Sequence, residues 1–167
     1  MSATKGLSAL TVVLAAWLWA GPIQAMPEGR FVSPDGGTTV FVGRTAEAGL
    51  RIELAIAAWD APLRVSLMPR RHGRSFEEPA APLGWFDRLM SRQPERLPFD
   101  GQRLVWATLA DDALVVNALQ VDRQGHPDLR RARLVPADDD GLRLELWRYG
   151  EMDAVAGPSL LLQRSTP

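Results

Sequence analysis

Leu50-Arg51-Ile52-Glu53-Leu54-Ala55-Ile56 decides the fold class. Leu50, Ile52, Leu54 and Ile56 fall on one side of an extended chain, and Arg51 and Glu53 fall on the other. A period of two is the signature of a half-buried strand, because successive side chains leave opposite faces of the pleat. Four branched apolar residues on one face need a core to cover them, whereas the charged pair needs water.

The same rhythm recurs in both directions from this stretch. Upstream, 29–33 and 38–44 flank Pro34-Asp35-Gly36-Gly37, whose proline and glycines supply turn dihedrals, so a hairpin is expected. Downstream, Leu63, Val65 and Leu67 alternate with Arg64 and Ser66 between Pro62 and Pro69. Further strands are expected over 103–109, 114–121, 129–135, 142–147 and 159–163. Turns at Asp111-Asp112, around 124–127 and at 138–141 separate them. Nine short strands joined mostly by hairpin-length links predict an all-β fold, a small antiparallel meander closing into a barrel. A β-sandwich is the alternative that turn spacing leaves open. The layout resembles the broad lipocalin-type class of small soluble barrels, although no diagnostic family motif accompanies it.

One link breaks the pattern. Residues 70–101 contain Pro79, Pro82, Pro94 and Pro98, and a connection of this length in a compact domain carries structure or function of its own. Within it, Leu83, Trp85, Phe86, Leu89 and Met90 share one arc at about 100° per residue, with Asp87, Arg88, Ser91 and Arg92 on the other, which predicts a short amphipathic helix over 83–93. Such a helix packs on its own core, covers a ligand cavity or docks a partner.

Residues 1–25 read as an address. Lys5 precedes an apolar run from Leu7 to Ala20, and Gly21-Pro22 and Ala25 follow, the order of a secretory signal peptide. Residues 26–167 are then a single domain, periplasmic or secreted. An uncleaved anchor is the alternative, at the short end of what spans a bilayer. Removing residues 1–25 takes away the only lysine and no carboxylate, leaving 18 arginines against 20 acids. That near-balance offers no field for nucleic acid. Arginine in place of lysine fits GC-rich coding, a bacterial trait. A membrane-spanning barrel fits poorly, since one tyrosine cannot furnish two aromatic girdles.

The chemistry is sparse. There is no cysteine, and His72 and His126 have no metal-ligand spacing, so no metal, cofactor or catalytic residue is assigned. Asp138-Asp139-Asp140-Gly141 lacks the alternating ligands of a calcium loop and reads as a turn. An enzyme would need carboxylates such as Glu53, Asp87 or Glu145 to meet in one cleft. The arginines remain. Arg130, Arg131 and Arg133 occupy one strand, where Arg131 and Arg133 share one face and Arg130 the other with Ala132 and Leu134. A guanidinium beside apolar neighbours pairs with a carboxylate or lines an anion site. The candidate binding residues are therefore Trp85, Phe86, Leu89, Arg88 and Arg92 in the helix, with Arg131 and Arg133. The expected function is binding of an amphipathic or anionic small ligand. The alternative is a non-enzymatic interaction module, an envelope assembly factor or inhibitor, that docks on another envelope protein through 83–93.

Overall fold

A computed structural model describes residues 26–70, 73–79, 103–110, 112–138, 140–150 and 154–165. They form ten antiparallel strands: β1 (Gly29–Val32), β2 (Thr38–Arg44), β3 (Leu50–Ile56), β4 (Leu63–Pro69), β5 (Ser75–Glu77), β6 (Leu104–Ala110), β7 (Ala113–Val121), β8 (Pro127–Pro136), β9 (Leu142–Tyr149) and β10 (Ala154–Arg164). Each strand pairs with its neighbours in sequence, and β10 returns to β1, so the sheet closes as an up-and-down barrel. Closure settles barrel against sandwich in favour of the barrel.

The alternation sorts as the sequence requires. On β3, Leu50, Ile52, Leu54 and Ile56 are buried, and they align in register with Val40 and Val42 of β2 and with Leu63, Val65 and Leu67 of β4. On the far side of the barrel Phe76, Ala107, Val116, Ala132 and Leu146 form one inward row, followed by Leu114, Leu134 and Leu144. Each fully buried aliphatic side chain contributes roughly 1.5–3 kcal/mol by leaving water, and that burial closes the sheet without cysteine.

Two strands depart from the sequence expectation. The tenth strand is β5, three residues inside the link read as strandless. It wedges Phe76 between Pro69 of β4 and Ala107 of β6, so the unassigned connection shortens to residues 78–103. The last strand starts at Ala154 instead of Ser159. Gly157 and Pro158 interrupt its alternation, and the structure passes them as a bulge between Ala156 and Ser159. The expected helix over 83–93 lies outside the described residues, which themselves contain no helix.

The first turn shows how local chemistry fixes a hairpin. Asp35 accepts hydrogen bonds from the Ser33 hydroxyl and, at 3.0 Å, from the Gly37 N–H, while the Ser33 hydroxyl oxygen accepts the Thr38 N–H at 2.9 Å. Gly36 takes φ +72°, a conformation that costs glycine nothing. The buried hydroxyl of Ser33 is satisfied at the barrel wall.

Candidate functional site at the barrel mouth

The interior changes character along its axis. Inward residues of β7 run Leu114, Val116, Ala118, Gln120; those of β8 run Leu134, Ala132, Arg130, Asp128; those of β9 run Leu144, Leu146, Arg148. Apolar side chains fill the barrel to the level of Ala118, and charge begins there. The rim above is the end at which β5 leaves, β6 arrives and the turns at 34–37, 57–62 and 122–126 lie.

Arg130 is the centre of this layer. Its Nε donates to Asp128 Oδ2 at 3.0 Å, and its Nη2 lies 2.9 Å from both Asp128 Oδ2 and Asp60 Oδ2. Asp60 reaches in from the β3–β4 turn, where the Trp59 N–H donates to the Ile56 carbonyl at 2.9 Å. The Trp59 ring packs against the core and carries the Arg130 guanidinium 6.0 Å from its centroid, at the outer limit of a cation–π contact. Arg148, the cross-strand partner of Arg130, donates to Asp128 from Nε at 2.9 Å and from Nη2 at 3.3 Å.

A recess of about 110 Å³ opens at this layer, lined by Trp59, Asp60, Arg103, Ala118, Gln120 and Arg130, with Asp128 completing its wall. A shallower depression continues from it over Asp122, His126 and Arg148. Two cationic groups in the recess have unused capacity among the described residues. Arg103 has no hydrogen-bond or ion-pair partner, and Nη1 of Arg130 makes no protein hydrogen bond.

The carboxylates here are acceptors. The hydrogen bond from Arg130, and then its charge, hold Asp60 below the ordinary carboxylate range. Asp122 is held low chiefly by the His126 backbone N–H, with the His126 ring at 3.0 Å and the Gln124 N–H assisting. Burial works against the Arg130 charge, and the bonds and charges of Asp60 and Asp128 outweigh it and raise its affinity for the proton. At neutral pH these groups stay ionised. They present fixed charge and hydrogen bonds, not a proton to donate.

Arg131 and Arg133 lie on the outer wall. Arg131 donates from Nε to Asn117 Oδ1 at 2.8 Å and covers the Tyr149 ring at 5.3 Å, with its Nη1 3.3 Å from the phenol oxygen. Arg133 pairs with Glu145 at 3.0 Å. Glu53 is likewise engaged on the outer wall, by Arg51 at 2.7 Å. Trp85, Phe86, Arg88, Leu89 and Arg92, and with them Asp87, lie outside the described residues. Among Trp59, Asp60, Arg103, Asp128, Arg130 and Arg148, the sequence marks only Arg130, as a guanidinium beside Ala132 and Leu134, and none of the six is among its candidate binding residues. The signal that finds the last three was present: parity puts Arg130 and Asp128 on the face of Leu134, and Arg148 on the face of Leu144.

Among the described residues no group of three or more potential metal-ligating side chains converges. Compared with protein-family models, curated proteins and solved structures, the chain matches none of them.

Proposed function

We propose that the protein is an exported, soluble barrel of the periplasm that binds a small carboxylate-bearing ligand at the mouth, in a lipocalin-like use of the fold. The observation that carries this reading is the pair of guanidinium groups, Arg103 and Arg130, with N–H donors that no described residue takes up, over one recess whose wall is Trp59. Arginine's planar fork binds a carboxylate through two parallel hydrogen bonds, and an aromatic wall receives the apolar part of the ligand. Below Ala118 the buried side chains of Leu114, Val116, Leu134 and Leu144 lie in the interior, which favours a short anion over one with a long tail. Removal of residues 1–25 during export belongs to the same proposal.

The outer wall supports a soluble protein. Arg51, Glu53, Arg64, Arg133, Arg143 and Glu145 face outward on β3, β4, β8 and β9, interspersed with apolar residues such as Leu129, Val135 and Leu161, whereas the fully buried leucines face in. A barrel in lipid needs the reverse, because charge on the lipid face costs about 2–4 kcal/mol for each arginine at mid-depth.

The test is a titration of the purified protein with acetate, benzoate and inorganic phosphate, followed by NMR at the Trp59 indole and the Arg130 Nε–H. Saturable shifts with the carboxylates, lost in Arg130→Gln and weakened in Arg103→Gln, are expected. Absence of saturable shifts with all three anions, or shifts unchanged in Arg130→Gln, overturns the reading. Saturation by phosphate alone keeps the site and replaces the ligand class.

A further inference from the structure

We infer that Asp60 is a built-in competitor for the mouth site, a carboxylate of the protein that occupies part of the place a ligand carboxylate takes and so sets its affinity. This rests on the reading of the mouth as an anion site.

The two acids on Arg130 hold it differently. Asp128 belongs to the same strand, is largely covered at 28% side-chain exposure, and grips the guanidinium from its Nε side while also holding Arg148. It orients the fork. Asp60 arrives from a turn 70 residues away in sequence, its side chain 89% exposed, and touches only Nη2. An ion pair with one partner in water is weak, so separating Asp60 from Arg130 costs little. The guanidinium itself is 19% exposed and remains seated by Asp128 when Asp60 leaves.

The edge that Asp60 half-occupies is the one a ligand needs. Nη1 and Nη2 together offer the end-on pair of donors for a bidentate carboxylate, and Asp60 uses the second, while the first has no partner among the described residues. A ligand carboxylate that takes both exchanges a one-point contact for a two-point contact. It adds the attraction of Arg103 from across the recess. Asp60 then turns to water, where its exposure already places it. The turn stays in position because Trp59, not Asp60, packs on the core and bonds to Ile56. In the empty state Asp60 keeps the arginine layer partly neutralised, so weak or abundant anions are excluded and a ligand must offer both oxygens in the plane of the fork.

The experiment is the benzoate titration repeated on Asp60→Asn, with Asp122→Asn as a control for the loss of one negative charge at the same rim. Asp60→Asn is expected to bind at least five-fold more tightly than the parent protein, and Asp122→Asn to stay within about two-fold of it. In the parent protein, binding is also expected to shift the backbone amides of residues 59–61 as Asp60 is released. If the parent binds benzoate and Asp60→Asn binds equally or more weakly, or if both variants gain alike, Asp60 is not a competitor and the mouth site stands without it. If neither the parent nor Asp60→Asn binds any of the three anions, the mouth reading falls and this inference with it.

Discussion

Arg130 and Arg148 stand directly opposite each other on β8 and β9, both on the inward face, with Asp128 hydrogen-bonded to each. Like charges directly opposite across two strands destabilise a sheet unless a counter-charge joins them. Asp128 supplies it from two residues along the strand, on the same face by parity. The mouth is thus a bridged pair of cations, and the removable acid, Asp60, is the one that comes from elsewhere in the chain.

Asp128→Ala leaves two guanidinium groups facing each other without their shared acceptor. Hydrogen bonds to charged groups are worth roughly 1.5–3 kcal/mol, and the exposure of Arg148 reduces the effect, so a loss of about 1–2 kcal/mol is expected as a lower urea midpoint with unchanged slope. Adding Arg148→Gln removes the repulsion and is expected to restore about half of that loss. A double variant no more stable than the single one would show that repulsion is not the cause.

Leu134→Ala opens a hole in a row that has no exposed atom, and a cost of about 2–5 kcal/mol is expected. Leu161→Ala on β10, where the side chain is 58% exposed, is expected to change stability by less than about 0.5 kcal/mol. Chemical denaturation of the two variants side by side checks the inward and outward assignment of the barrel wall.

Gly49→Ala tests close backbone approach. A Cβ at Gly49 would lie 2.4 Å from the Leu67 carbonyl oxygen, a backbone atom of β4, and 2.8 Å from Thr45 Oγ1, which accepts the Gly49 N–H within the β2–β3 turn. The backbone carbonyl cannot withdraw without moving β4, so about 1–3 kcal/mol of destabilisation is expected in a thermal or urea melt. Gly150→Ala, with nothing within 4 Å of the added carbon, is expected to be near neutral.

Acid sensitivity follows from four carboxyls held below their ordinary range: Asp35 by the Ser33 hydroxyl, Glu53 by Arg51, Asp60 by Arg130 and Asp122 by the His126 N–H. A depressed folded-state value means that the unfolded chain binds protons first as pH falls. Their contribution is therefore complete above the unfolded value near pH 4 and is lost as pH drops through the lower folded values. Unfolding midpoints are expected to be flat in this respect from pH 5 to 7 and to fall below about pH 4, less steeply in Asp35→Asn.

Strand positions were legible because alternation is a local property. Leu50 to Ile56 and Leu142 to Trp147 each declare a face without reference to anything distant. The turns were legible for the same reason, since Asp35 and Asp122 each fold the chain by bonding to N–H groups two to four residues ahead. Ser75–Glu77 was not. Three residues cannot express a period, and β5 is a strand because β4 and β6 flank it. The start of β10 was missed because Gly157-Pro158 looks like a stop, and only the partner strand β9 shows the pairing continuing past it.

The sequence by itself determined that the described residues are all-β, that most of their strands lie where they do, and that Arg130 faces away from Arg131. Those follow from side-chain period and turn chemistry, which act over a few residues. Only the tertiary structure decided which face of β8 was the inside. That choice depends on the closure of β10 onto β1 and on the burial of some twenty apolar side chains gathered from all ten strands. With the inside fixed, Arg131 and Arg133 fall on the outer wall and Arg130 and Arg148 at the mouth. Asp60, 70 residues from Arg130, then meets it across a recess whose existence no local stretch encodes.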